Sequence, residues 1–147
     1  MNIRYAKLDD IKDFLANMGN SAKYFRYFSK RPPEIITQHL VTLVGILENG
    51  ETVAYAHLDP DDGKVWLGIC VAEAHCGKGF GETMISTLLE EANKLGIKEI
   101  TLSVDEDNLG AIKLYEKSGF IQKTFKNGVL YLVKGNGSLV NRDYRCR

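Results

Sequence analysis

The spacing of apolar residues changes along the chain, and each change marks an element. Ile3-Arg4-Tyr5-Ala6 alternates and predicts a short first strand. Ile11, Phe14, Leu15 and Met18 recur at helical spacing, which predicts a helix to about Met18, capped by Asp9 or Asp10 and ended by Gly19-Asn20-Ser21. Residues 24–31 are aromatic and basic, and Pro32-Pro33 separates them from a second short helix near residues 34–40. Residues 41–47 and 52–58 read as strands joined through Asn49-Gly50, a strong hairpin signal. Asp59-Pro60-Asp61-Asp62-Gly63 reads as a turn. Residues 65–71 form a third strand whose nearly continuous apolar character predicts burial on both faces.

The period then shifts. Met84, Ile85, Leu88, Leu89, Ala92 and Leu95 mark one face of a long amphipathic helix, and Gly96 is placed to stop it. A strand over 97–104, a helix over 109–117 with Asn108 at its cap and Gly119 as terminator, and a last strand over 129–134 complete the order. From Gly135 onward no period is visible, which suggests a loose tail or an added sheet edge. The order is β-α-α-β-β-β-α-β-α-β. Hairpin-linked strands followed by a βαβ crossover imply an α/β (α+β) fold, a mixed sheet covered by helices. No repeat or linker interrupts it, so residues 1–147 are expected to form a single domain.

Composition narrows the partners. The chain has 147 residues with 19 basic and 19 acidic side chains, a formal charge of zero. Neither nucleic acid nor an acidic membrane is expected on that balance. No apolar run approaches the roughly 18 residues of a membrane helix, and the N-terminus lacks the apolar core of a signal peptide. Cys70, Cys76 and Cys146 are odd in number and lack metal-type spacing, which predicts free thiols, a cytoplasmic setting and no metal.

Two segments carry candidate chemistry. His75-Cys76-Gly77-Lys78-Gly79-Phe80-Gly81 lies between the third strand and the long helix. Alternate glycines leave backbone N–H groups unshielded, and a turn that opens a helix can surround a phosphate oxygen. Lys78 would add a full charge to the helix dipole. A plain glycine turn is the competing explanation. A Walker loop is excluded because Gly77-Lys78 is followed by Gly79 and not by Ser or Thr. A dinucleotide fingerprint is excluded by the glycine spacing and because the turn follows a meander. The second segment, 108–120, puts Asn108, Ala111 and Tyr115 near one helix face. Asn108 can bond a polar backbone, Ala111 permits close approach, and Tyr115 offers a phenol. A capped surface helix with a half-buried tyrosine is the alternative.

Together, and in this order, the two segments resemble the GNAT superfamily of acyl-CoA-dependent acetyltransferases. The resemblance covers roughly residues 41–134. Val71 through Gly81 is similar to the pyrophosphate motif Gln/Arg-x-x-Gly-x-Gly/Ala, with Gly79 and Gly81 at its glycines and Cys76 where Gln or Arg is usual. Asn108, Ala111, Leu114, Tyr115, Gly119 and Phe120 are similar to the segment Asn-x-x-Ala-x-x-Leu-Tyr-x-x-x-Gly-Phe. The resemblance implies a mostly antiparallel sheet of about six or seven strands, splayed at its central parallel pair. It also implies acetyl-CoA as co-substrate. Cys70, Val71, Cys76, Gly77, Lys78, Gly79, Phe80, Gly81, Asn108, Ala111 and Tyr115 would hold it. The pantetheine arm would lie between residues 69–71 and 101–103. An N–H near Cys70 or Val71 would stabilise the oxyanion, and Tyr115 would protonate the departing thiolate.

The resemblance also implies a small-molecule primary amine as acceptor and a monomer or homodimer. Tyr24, Arg26, Tyr27 and Arg31, with His57, stand where an acceptor wall is expected, and stacking plus guanidinium contacts would suit an amino sugar or a nucleotide-linked one. Packing anchors and solvated charges are the other explanation. No acidic cluster is evident, which argues against a polycation. Peptide acetylation and coenzyme binding without turnover remain alternatives. No carboxylate lies within residues 65–71 to act as base, so His57, Asp59, His39 and Glu34 stay open as candidates. A nucleophilic Cys70 or Cys76 is disfavoured, since only the adjacent His75 is near in sequence.

Overall fold

The computed structural model describes residues 1–135, so the expectation for the tail lies outside the described residues, apart from Gly135 itself. The strands are β1 (Asn2–Tyr5), β2 (Val41–Ile46), β3 (Thr52–Asp61), β4 (Lys64–Val71), β5 (Glu99–Asp105), β6 (Ile121–Lys126) and β7 (Val129–Gly135). The α-helices are α1 (Leu8–Asn17), α2 (Phe80–Lys94) and α3 (Leu109–Lys117). Short 3-10 turns span Gly19–Lys23, Tyr27–Ser29, Pro33–Gln38 and Glu73–His75. The helix expected near residues 34–40 is therefore 3-10 and not α, with Pro33 starting it.

One seven-stranded sheet runs in the order β1-β2-β3-β4-β5-β7-β6. All neighbours are antiparallel except β4 and β5. Eight residue pairs join β3 to β4, but only Trp66 and Thr101 pair across β4 and β5. The sheet therefore splays at its central parallel pair.

Alternation along β2 and β3 feeds two cores on opposite sheet faces. Leu43, Ala54, Ala56 and Leu58 pack with Met84, Ile85, Leu88 and Ala92 of α2, with Ile100 and Leu102 of β5, and with Tyr115 and Phe120. Val44 and Tyr55 pack on the other face with Ile11, Phe14 and Met18 of α1, joined by Phe25 and Phe28.

Several details differ from the pattern expected of the sequence. Burial on both faces belongs to β3, buried continuously from Thr52 to Leu58. β4 is mostly half-buried, with only Leu67 and Cys70 fully covered, because it borders the gap. Asp59-Pro60-Asp61 is not turn but strand; Asp62 and Gly63, both with positive φ, make the turn alone. β3 there outruns β2, whose last partner is Leu58, so Pro60, which has no N–H to donate, lies in the overhang that β2 does not reach. α1 is capped at Lys7, and Asp10 serves from the third helical position: its carboxylate accepts the Lys7 N–H at 2.7 Å and clamps Arg4 at 2.7 and 2.8 Å. β6 was not expected. Its residues are exposed and lack clean alternation, but Asn127-Gly128, with φ of 53° and 79°, is a hairpin turn joining it to β7.

The helix stops behave as expected. Gly96 at φ 72° lets Ile97 N–H reach Ala92 O at 3.1 Å, and Gly119 at φ 100° lets Phe120 N–H reach Tyr115 O at 3.0 Å. Leu88 is fully buried where α2 meets the sheet. Leu88→Ala should cost about 2–5 kcal/mol of unfolding free energy. Urea titration followed by circular dichroism measures this, and a loss under about 1 kcal/mol would contradict the packing.

Candidate active site

Beyond Trp66 and Thr101 the diverging strands open a cleft of about 890 Å³. On one side of the sheet it meets the glycine turn and α3, and on the other the aromatic segment after α1.

At the glycine turn, Gly77 and Gly79 have φ of 79° and 83°, a conformation side chains disfavour. A Cβ placed on either would meet nothing within 4 Å. No described residue fills this space, so the backbone stands open to the cleft. Gly81 serves differently: a Cβ there would come within 3.3 Å of Leu114 Cδ2, so it lets α2 lie close to α3. The first bond of α2 is Thr83 N–H to Gly79 O, which leaves the earlier amides facing outward with the positive end of the helix dipole. Backbone amides open in this way are the kind of group that can surround a phosphate oxygen. Lys78 is the member of the expected set that does not line the cleft; its Nζ lies 3.1 Å from His75 Nδ1.

Asn108, Ala111 and Tyr115 all line the cleft. Asn108 occupies the cap position of α3 without a side-chain cap bond. Tyr115 is buried, yet no described residue accepts from its hydroxyl, which opens into the cleft. Burial, and secondarily Cys70, push its pKa up, so it stays protonated until a stronger base forms beside it.

Burial likewise pushes the Cys70 thiol up to about 12, with Cys76 adding to the effect. A thiol held that high is not a nucleophile at neutral pH. Cys76 is exposed, and its Sγ lies 3.7 Å from Val71 O and 3.6 Å from Ala72 O, so it braces the turn.

The acceptor side gathers Tyr24, Arg26, Tyr27, Arg31 and His57, which also line the cleft. Arg26 bridges to Asp105 at the end of β5, at 2.9 and 3.2 Å, and so ties this segment across the opening. Arg31 stacks 4.3 Å from the Tyr27 ring centre and bonds Tyr27 O at 3.0 Å. His57 is no surface residue. It is 2% exposed, its Nδ1 lies 2.6 Å from the Tyr55 hydroxyl, and its ring packs 4.4 Å from Tyr27 and 4.5 Å from His39. Burial holds it well below the usual histidine range, helped by His39 and Arg31. Gly68, opposite it on β4, makes the room: a Cβ there would lie 2.5 Å from His57 Nε2.

The cleft also holds residues not expected from the sequence. Trp66 and Tyr131 meet edge to face at 6.4 Å. Trp66, Gly68 and Cys70 share a face of β4, a period-two signal that points to them once the strand is known to border a cleft. Asp59, Asp61 and Asp105 line the cleft together, which corrects the expectation that it carries no acidic cluster. The overhang of β3 puts the first two there; Asp59 is among the candidate bases named from the sequence, whereas Asp61 and Asp105 are not. Glu34 and His39, also considered as bases, do not line it.

Comparison with known proteins places these features. Residues 8–120 match the family model described as the acetyltransferase (GNAT) family. The spermine/spermidine N(1)-acetyltransferase of Bacillus subtilis (strain 168) is 34% identical over 92 residues, which cover 56% of this chain and 60% of that protein. The chain thus spans well under two thirds of that relative. The spermidine N(1)-acetyltransferase of Vibrio cholerae is 25% identical over 145 residues, covering 84% and 80% of the two chains. In fold, a GNAT superfamily phosphinothricin acetyltransferase from Sinorhizobium meliloti, solved with acetyl-CoA, superposes with a TM-score of 0.76 at 17% identity over 93% of this chain and 89% of that one.

Because Gly68 leaves room for the His57 ring, Gly68→Ala should overpack the site and cost about 1–3 kcal/mol. The urea midpoint checks this, and an unchanged midpoint would show that the ring does not rest there.

Proposed function

Since the chain belongs to the acetyltransferase (GNAT) family, we propose that it transfers an acetyl group from acetyl-CoA to a primary amine of a small molecule. The observation that carries this is the single cleft shared by the open glycine turn, the parted strands and the Tyr115 hydroxyl.

The fit of the coenzyme rests on this chain's own groups. Gly77, Gly79 and the first amides of α2 would bind the diphosphate. Backbone of residues 70–71 and 103 that β4 and β5 do not pair across the gap would bond the pantetheine amides. Asn108 and Ala111 would lie along its length. Bound there, acetyl-CoA supplies an acetyl thioester. A main-chain N–H at the splayed end of β4 would stabilise negative charge on the carbonyl oxygen. Tyr115, held protonated by burial, would give its proton to the thiolate. Cys70 remains a thiol beside it, so direct attack by the amine is favoured over a covalent enzyme intermediate.

The acceptor side combines aromatic rings with carboxylates. Asp59 and Asp61 would attract ammonium groups, and Tyr24, Tyr27 and Trp66 offer ring faces to them. This favours a di- or polyamine, in keeping with the names of the two curated relatives. An amino sugar, or a nucleotide-linked one, is the second reading; it rests on Arg31, which has no carboxylate partner among the described residues and lies beside the same rings. Thiol release with spermidine, glucosamine and a nucleotide-linked amino sugar separates the two.

Tyr115→Phe should lower kcat about 100-fold or more while acetyl-CoA affinity stays nearly the same. Unchanged turnover would remove Tyr115 from the acid role. Gly79→Glu should abolish acetyl-CoA binding in calorimetry, since a carboxylate on a left-handed residue would enter the diphosphate cradle; normal affinity would reject that placement.

A further inference from the structure

An amine reaches this cleft largely as ammonium, so some group must take its proton before it can attack. The structure separates the candidates by counting protons on one hydrogen-bonded cluster.

Tyr55 is fully buried, and its hydroxyl has one partner, His57 Nδ1 at 2.6 Å. A buried O–H without an acceptor costs about 1–3 kcal/mol. Tyr55 therefore donates, and the neutral His57 carries its proton on Nε2. That nitrogen has no described partner, and His57 lines the cleft as a donor, not a base.

His39 is committed at both nitrogens. The Tyr27 hydroxyl lies 2.7 Å from Asp59 Oδ2 and 2.7 Å from His39 Nε2. A carboxylate only accepts, so the one Tyr27 proton goes to Asp59. His39 Nε2–H must then donate to Tyr27, and His39 Nδ1 accepts from Thr42, 2.9 Å away. The result is a chain with one direction, Thr42 to His39 to Tyr27, ending on the Asp59 carboxylate. Burial keeps Tyr27 protonated and His39 below its usual range, so the direction persists at neutral pH. The second Asp59 oxygen has no described partner, and Asp59 lines the cleft one position along the same strand face from His57.

We propose that Asp59 is the group that takes the proton from the acceptor ammonium, directly or through one water, with Tyr27 and His39 as positioning residues. This rests on the acetyl-transfer reading above. The ammonium gives one proton to Asp59 and becomes a free amine. Its lone pair forms the C–N bond as the C–S bond breaks. The thiolate takes the Tyr115 proton, and the second proton lost from nitrogen restores Tyr115. Asp59 returns its proton to solvent, so the net products are amide, thiol and one proton. The charged or titratable groups facing Asp59 are Tyr27 with Arg31 stacked on it, His39 after the Pro33–Gln38 turn, and His57 and Asp61 on its own strand; on β4 it faces Trp66, with Lys64 opposite Asp61.

The test uses the full chain with acetyl-CoA and two amines, spermidine and n-propylamine. Asp59→Asn should lower kcat about 100-fold at pH 7. The deficit should shrink as pH approaches about 10, where solvent itself supplies free amine. The acetyl-CoA Kd, read by calorimetry, should stay within about twofold of wild type, as expected for a residue outside the coenzyme contacts. Tyr27→Phe should lower kcat about tenfold through loss of one hydrogen bond to a charged group. Nitrogen-15 NMR of wild type should place the ring protons of His39 and His57 on Nε2.

A raised KM with unchanged kcat would make Asp59 a docking group only. A kcat loss that stays constant with pH would make it structural. A proton on Nδ1 of His57 would leave that ring as a rival base. Each outcome overturns the proposal. A wild type that binds acetyl-CoA but releases thiol with neither these amines nor the amino sugars defeats the acetyl-transfer reading itself.

Discussion

Past the Trp66–Thr101 pair, β4 and β5 diverge inside a sheet whose other neighbours pair along several residues each. Two strands in the middle of a sheet then carry unpaired N–H and C=O groups, which an interior must satisfy in some other way. A flexible arm rich in amides, as in the proposed coenzyme, would be one solution. Every other feature of the site depends on this parting. It leaves β4 half-buried where its apolar run suggests full burial. It lets Cys70, packed on the α1 side of the sheet, still influence Tyr115 on the other side. It also makes one cleft of what would be two unconnected faces.

The glycines around this gap do different jobs, and only structure tells them apart. Gly77 and Gly79 keep a left-handed backbone bare toward the cleft, Gly81 lets two helices approach, and Gly68 yields its side-chain space to His57. Replacing the first pair would disturb ligand binding, whereas replacing either of the others would disturb packing.

The acceptor side shows how burial assigns roles to polar groups. His57, His39, Tyr27 and Tyr55 lie in one aromatic cluster, and each hydrogen bond limits the next because each group has few protons to give. The carboxylate ends up with a free oxygen on the cleft, while both histidines are committed as donors. Arg26 bound to Asp105 holds the same segment from outside, though an exposed pair of this kind contributes little to stability.

Local chemistry settled much in advance. The periodicities of α2 and α3, the stops at Gly96 and Gly119, the Asn49-Gly50 hairpin and the two motifs around Gly79 and Tyr115 were legible because each depends on neighbours within a few residues. β6 escaped because an exposed edge strand needs no alternation, although its Asn127-Gly128 turn was there to be read. Asp59 and Asp61 looked like turn residues because the overhang of β3 past β2 is a matter of sheet register, which one strand cannot reveal. Likewise, no spacing tells that Tyr27, His39 and Asp59 share protons, since they come from three separate segments. The amino-acid order determined most of the elements and the open glycine turn by itself. Tertiary structure decided how far β3 overhangs β2 and which groups Tyr27, His39 and Asp59 bond, because both follow from contacts between residues distant in the chain.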